Sequence, residues 1–247
     1  MHLMRWLHNK LNRRAVKSSQ WLRVGLPGYC AFCLAPGAAG RGWCWECFND
    51  LPWNSAGCLQ CKEPLSSTPL HKLQAVCGHC LTNPPAFRAT TAELLYQGPV
   101  IELLHDFKFN ASPRAGNLLV ELMLANTPTS LGSVLLPVPM FPARARERGF
   151  NQAHWLASQL GRRLALPVAS ASSIKHLPSQ RSLNRRQRMA NMVGAFSVAT
   201  SLPSHVTIID DVITTGATGH ALAIAALKAG AERVDIWSAA RTPLDKS

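Results

Sequence analysis

All eight cysteines of this chain lie between Cys30 and Cys80, in four pairs of identical spacing. The pairs are Cys30-x2-Cys33, Cys44-x2-Cys47, Cys58-x2-Cys61 and Cys77-x2-Cys80, separated by ten, ten and fifteen residues. A C-x2-C turn sets two sulfurs on one side of a tight knuckle, matching two corners of a zinc tetrahedron. Two knuckles complete one site, so eight thiolates suit two structural zinc ions. Four thiolates also suit an iron–sulfur cluster. Disulfides fit less well, because the remaining two thirds of the chain has no cysteine. Nor does the start read as a cleaved secretory signal: Arg5 interrupts the apolar residues of MHLMRWLHNKLNRR. Metal-bound thiolates in a reducing cytoplasm are the expectation. Sequential pairing would join the first four and the last four cysteines, and an interleaved cross-brace is the alternative. Either way the sites are closed, hence structural.

The cysteines also divide the chain. Residues 29–88 are rich in Gly and Pro and poor in periodic runs, so ligation has to replace a large apolar core there. From Thr90 the character changes. Thr90–Tyr96 reads as a strand, and Pro99–Phe107 and Pro113–Ala125 read as helices opened by proline. Ser133–Val138 is a short apolar strand running into Pro-Val-Pro. Asn151–Leu164 carries Ala153, Leu156, Ala157, Leu160 and Leu164 on one helical face. Val206–Asp210 is a strand, Thr218–Ala229 a helix, Arg233–Ala239 a strand, and Gly230 sits where a helix C-cap glycine belongs. Strand–helix–strand alternation predicts a parallel sheet with helices on both faces. No apolar run is long enough for a transmembrane helix.

Within that frame, Val206–Thr218 (VTIIDDVITTGAT) is the densest chemical signal. A buried-type strand ends in Asp210 and Asp211, and Thr214, Thr215, Gly216, Ala217 and Thr218 lead into a helix. Backbone N–H groups at a helix start attract phosphate. Gly216 permits a tight turn, and the three threonine hydroxyls can donate to phosphate oxygens. The carboxylates, one step back, can accept from vicinal sugar hydroxyls. A Walker A loop would need Gly-Lys-[Ser/Thr], which is absent, and a dinucleotide fingerprint would need G-x-G-x-x-G.

Charge points the same way. The net charge is +13. The basic extension, residues 1–28, holds Arg5, Lys10, Arg13, Arg14, Lys17 and Arg23 with no acid, and residues 140–190 hold ten Lys/Arg against Glu147 alone. Two basic regions imply polyanionic partners. Leu3, Trp6, Leu7 and Leu11 give the extension a helical spacing.

DDVITTGAT resembles the phosphoribosyl-pyrophosphate (PRPP) loop of type I phosphoribosyltransferases. Leu136-Pro137-Val138-Pro139, Arg148-Gly149-Phe150-Asn151-Gln152, Phe107-Lys108-Phe109, Gln180, Arg188-x2-Asn191 and Gly194-Ala195-Phe196, with the cysteine pairs, resemble the ComF/GntX family. The resemblance implies an α/β fold: a type I phosphoribosyltransferase-like parallel sheet flanked by helices over residues 89–247, preceded by a small double zinc ribbon over 29–88. It implies PRPP binding by Asp210, Asp211, Thr214, Thr215, Gly216, Ala217, Thr218, Arg148 and Arg188, with magnesium. Asp210 and Asp211 would be the catalytic pair should turnover occur, with an acceptor that the sequence does not name. Ala190 stands where members often carry an arginine. Lys108 reads either as a phosphate contact or as cover for the sheet edge, and His105 as a surface or packing residue. A mobile loop is implied over His176–Asn191. The implied role is cytoplasmic handling of single-stranded DNA in natural transformation or nutrition, with competence helicase or processing proteins as partners. The rivals are a nucleotide-salvage phosphoribosyltransferase and a non-catalytic PRPP sensor.

Overall fold

The computed structural model describes residues 28–38, 40–65, 75–141, 149–174, 192 and 194–244. Two compact units divide between Leu51 and Pro52. The first contains a single five-residue helix among its described residues, α1 (Trp45–Asn49), with Cys44 as N-cap. Trp43 is its buried centre, stacked on Phe48 at 4.3 Å between ring centroids.

The second unit, from Pro52, is built on a four-stranded parallel sheet. Its described elements are α2 (Gly78–Thr82), β1 (Thr90–Thr91), α3 (Pro99–Phe109), α4 (Pro113–Ala125), β2 (Val134–Pro137), α5 (Gln152–Leu164), β3 (Ser172–Ser173), β4 (Phe196–Ser197), β5 (His205–Ile213), α6 (Ala217–Lys228) and β6 (Arg233–Arg241). The strand order is β1-β6-β5-β2. β2 is buried throughout, and β6 is buried after its first residue. Such continuous burial is what a parallel sheet covered on both faces demands.

The side-chain period of two sorts the faces. Val134, Leu136, Val206, Ile208, Val234 and Ile236 pack in one cluster with Leu222 and Ala226 of α6. Leu135, of opposite parity, lies toward α5, where a Cβ on Gly161 would come 3.9 Å from it. Helix α6 presents small residues because it sits close to the sheet. A Cβ on Gly219 would lie 2.4 Å from Ile236 Cδ1.

The starts of the long helices follow local chemistry. Ser112 caps α4 by accepting from Ala115 N–H at 3.2 Å, with Pro113 at the first position. Asn151 caps α5 by accepting from His154 N–H at 3.1 Å. Gly230, just past α6, has φ +104°, which glycine adopts without strain.

Several elements differ in extent from the sequence expectation. The strand expected over 90–96 ladders with β6 at Thr90–Thr91, is interrupted, and bridges β6 again in parallel at Leu95↔Arg241. In between, Leu94 forms an antiparallel bridge with Trp53, and Asn54 Nδ2 and N–H take the carbonyls of Ala92 and Glu93. Strand β5 runs three residues past Asp210, because β6 accompanies it to Ile213↔Arg241. A short ladder, β3 with β4, joins Ser172–Ser173 antiparallel to Phe196–Ser197.

Candidate anion site and cysteine clusters

The connections out of the two central strands diverge. From β5 the chain crosses through α6 to β6 on one side. From β2 it crosses through α5 to the other side, where Val168 bridges Leu135 in parallel. The crevice outside the carboxyl ends of β2 and β5 is therefore a topological switch point, the place where open α/β sheets bind ligands. Register pairs between the two strands end at Pro137↔Ile209. Asp210 and Asp211 come next on β5, both half-buried.

Loop and helix follow. Gly216 is the N-cap of α6 at φ +79°, ψ 0°, and has no side chain of its own to cap the helix. Thr215 Oγ1, buried, accepts from Ala217 N–H at 3.4 Å. A helix begins with N–H groups that lack intrahelical partners, and a glycine cap leaves room for an anion to take them. Thr214, Gly216 and Thr218 are half-buried and Ala217 is buried. Sequence order thus becomes spatial order: carboxylates, hydroxyls, helix dipole.

The carboxylates are held. Asp210 Oδ1 accepts from Asp211 N–H at 2.9 Å. Asp211 Oδ2 pairs with Lys108 Nζ at 3.1 Å, with side-chain exposures of 15% and 13%. Lys108 thus pairs with a carboxylate beyond the last β2–β5 register pair. Its neighbour Phe107 is buried edge-on against Phe150 and Trp155. Buried Gln152 donates to the Lys108 carbonyl at 3.5 Å, and Asn151 Nδ2 donates to the Val138 carbonyl at 3.0 Å. The Phe-Asn-Gln stretch thus ties α3 and the end of β2 to the start of α5. His105 is exposed and lies tilted against the Phe109 ring, with 4.6 Å between centroids.

The cysteines resolve into two clusters by sequential pairing: Cys30, Cys33, Cys44 and Cys47, then Cys58, Cys61, Cys77 and Cys80. In each, the four sulfurs lie within 4.8 Å of one another. Cys33 and Cys44 sulfurs are 3.7 Å apart, as are those of Cys61 and Cys77. A zinc tetrahedron with Zn–S of about 2.3 Å has edges of about 3.8 Å. Backbone N–H groups of Phe32, Cys47 and Cys77 donate to the sulfurs of Cys30, Cys44 and Cys58, the outer support that thiolate ligands need. Both clusters fit structural zinc.

Their titration is that of crowded thiols. Burial opposes ionisation of Cys30, yet backbone donors at Cys33, Cys44 and Phe32 outweigh it and bring the thiol down to about 6. The Cys61 thiol, with backbone donors, lowers Cys58 to about 4. Cys58 in turn pushes Cys61 up, and burial pushes Cys80 up to about 12. One thiolate forms readily in each knuckle set and then discourages its neighbours; a divalent cation relieves that repulsion.

A double zinc ribbon domain model matches residues 21–81. The DNA utilization protein YhgH of Escherichia coli K12 is 32% identical over 228 residues, covering 88% of this chain and 98% of that one. Competence protein F of Haemophilus influenzae is 30% identical over 220 residues, covering 80% and 96%. The chain belongs to the ComF/GntX family. Competence protein ComFC of Bacillus subtilis is 25% identical, covering 76% and 78%. Among solved structures, an orotate phosphoribosyltransferase from Aeropyrum pernix has TM-score 0.35 at 16% identity, covering 54% of this chain and 75% of that one.

For this ComF/GntX member, the remaining sequence-predicted residues fall as follows. Arg148, Arg188, Gln180, Asn191 and the whole segment 176–191 lie outside the described residues, as does the basic extension up to residue 27. Of the tryptophans near the knuckles, Trp43 is core, Trp45 is 55% exposed, and the Arg41 guanidinium lies 5.6 Å from the Trp45 ring. Among the described residues no helix is long and apolar enough to cross a membrane. Sequence reasoning missed the Lys108–Asp211 pair and the bridging roles of Asn151 and Gln152. The resemblance flagged those residues, but only the fold shows that they meet.

Proposed function

We propose that this ComF/GntX member binds PRPP with magnesium at the end of β5, and that it serves the use of incoming single-stranded DNA in the cytoplasm. The observation that carries the first part is the glycine-capped start of α6, preceded by two half-buried carboxylates, at the switch point between β2 and β5. Phosphate would take the N–H groups and hydroxyls of Thr214–Thr218, and Asp210 and Asp211 would accept from the ribose hydroxyls. Arg148 and Arg188 are assigned to the pyrophosphate, whose geometry suits a bidentate guanidinium. Magnesium, when bound, neutralises pyrophosphate charge. Lys108, paired with Asp211, would add positive charge beside the bound ligand. The carboxylates' negative field at the sugar is the contribution this chain makes to breaking the anomeric bond in turnover.

The second part draws on the relatives named for DNA utilization and competence, and on the chain's own charge. A net charge of +13 and exposed Trp45 beside Arg41 are the ingredients of single-strand binding, with backbone neutralisation and base stacking. Helicase or processing proteins of the competence apparatus are the proposed partners. Residues 29–88 are taken as the ribbon region and 89–247 as the ligand domain.

One panel separates an enzyme from a sensor. The zinc-loaded protein is incubated with magnesium, PRPP and each nucleobase while pyrophosphate release is followed, and single-stranded DNA affinity is measured against salt. Pyrophosphate release identifies an enzyme. PRPP binding without release, with DNA affinity falling steeply as salt rises, identifies a sensing adaptor. Absence of both PRPP and DNA binding would reject the proposal.

A further inference from the structure

Arg241 closes β6, and its side chain is fully buried. A guanidinium does not give up its proton, so its charge has to be met inside the protein. Nη1 donates to the carbonyl of Ile213 at 3.1 Å and to that of Thr242 at 3.0 Å. Nη2 donates to Glu63 Oε2 at 2.5 Å, an ion pair between positions 178 residues apart in sequence. The other oxygen, Glu63 Oε1, accepts from Leu244 N–H at 3.0 Å.

Both ends of this connection lead somewhere specific. Ile213 is the last residue of β5, and Thr214–Gly216 follow it directly. Thr242 N–H also donates to the Ile213 carbonyl, at 2.9 Å, so that oxygen is gripped twice. Glu63 lies two positions past Cys61, and its own backbone carbonyl accepts from Cys58 N–H at 2.8 Å. It is part of the second knuckle. A continuous set of bonds thus runs from the second cysteine cluster through a carboxylate and a guanidinium to the root of the anion loop. Cluster and loop also line one shallow depression, with Cys61, Cys80, Phe87, Thr215, Gly216 and His220 at its walls.

Mere adhesion does not require this arrangement. Replacing a buried ion pair with apolar residues of similar volume is often neutral for stability or favourable. Leucine and methionine would hold knuckle to sheet as well, but they could not hold the Ile213 carbonyl. We propose that Arg241 and Glu63 are positioning residues that set the root of the anion loop and couple its geometry to the second cysteine cluster. The coupling is reciprocal, so ligand at the loop tightens the knuckle as the knuckle orders the loop. Only its ligand arm rests on the PRPP reading.

The test uses the full zinc-loaded chain and compares Glu63→Leu/Arg241→Met, Glu63→Gln and, as a control, Lys62→Gln, which breaks the nearby Lys62–Glu93 pair of 2.8 Å. Zinc content, melting temperature, amide hydrogen exchange of peptides covering Val212–Thr218, and magnesium–PRPP affinity are read. The double variant is expected to keep both zinc ions and its melting temperature. Its loop should exchange roughly tenfold faster and its PRPP affinity fall roughly tenfold, with Lys62→Gln unchanged. Should the double variant fail to fold, Glu63→Gln decides on the same readouts. Loop exchange at the wild-type rate overturns the proposal, as does a rise spread evenly over β5 and β6. Faster loop exchange in a protein whose wild type binds no PRPP supports the coupling and rejects the ligand instead.

Discussion

The two cysteine clusters share one spacing rule but sit in different surroundings. In the first, Cys33 is exposed and Cys47 half-buried, and the packing comes from Trp43, Trp45 and Phe48 a few residues away. In the second, Cys58, Cys61 and Cys80 are buried, and bonds leave the knuckle for distant parts of the chain. Lys62 pairs with Glu93, Asn54 takes the carbonyls of Lys62 and Ala92, and Glu63 meets Arg241. Identical C-x2-C pairs thus support two kinds of module. One is held by its metal and local aromatics, while the other shares its stability with a sheet.

The largest effect should come from removing the second metal. Structural zinc in isolated fingers is worth about 10–16 kcal/mol, and here the second site braces the unit that contains the sheet. Cys80→Ser should strip one zinc and lower the melting of that unit by well over ten degrees in calorimetry. Cys33→Ser should strip one zinc and leave the sheet's transition where it was. Equal shifts would erase the distinction between the clusters. Next in size, Trp43→Ala removes a fully buried ring and should cost about 3–5 kcal/mol, confined to the first unit.

Smaller effects probe the loop that the second cluster braces. Gly216→Ala would bring its methyl only to ordinary contact with Phe87 Cζ, at 3.6 Å, so its cost of about 1 kcal/mol is backbone strain at φ +79°. PRPP affinity should fall by more than stability does. Gly219→Ala reverses that order, because its methyl would meet Ile236 Cδ1 at 2.4 Å and overpack the sheet by about 1–3 kcal/mol. The smallest effect is a pH dependence. Burial lowers His220 below its usual value, and Ala86 N–H donates to its Nδ1 at 3.0 Å, which holds the folded ring neutral. The unfolded chain takes up a proton first as pH falls below about 6.5. This contribution is therefore full above that pH and is lost as pH drops through the lower folded value. Melting temperatures of wild type and His220→Gln, followed from pH 7.5 to 5, should converge toward the acid end.

Much of this was legible in the sequence, wherever the cause was local. The C-x2-C turns, the apolar runs of β5 and β6, the proline starts of α3 and α4 and the Gly216 turn each depend on a few consecutive residues. Legibility failed where the cause was distant. Thr90–Tyr96 has strand composition, yet Trp53 and Asn54 engage residues 92–94 and interrupt its ladder with β6, which resumes at Leu95↔Arg241. Asp210 looked like a strand end, yet β5 continues to Ile213 because β6 supplies partners that far. Spacing left the pairing of knuckles open, and the fold decides it as sequential. Lys108 and Asp211 stand 103 positions apart, and Glu63 and Arg241 further still, so no periodicity could have joined them. Arg241 in particular lies beyond the strand expected over Arg233–Ala239, although it ends β6 as a buried node.

The central claim is that the residues from Asp210 to Thr218 form a phosphoribosyl site. Isothermal titration of the zinc-loaded protein with magnesium–PRPP, set beside Asp210→Asn and Asp211→Asn, tests it most directly. Hydrogen bonds to charged groups are worth about 1.5–3 kcal/mol each. The account predicts saturable one-to-one binding by the wild type and a roughly 10- to 100-fold loss in each variant. Wild-type affinity in both variants, or no heat from the wild type, would contradict it.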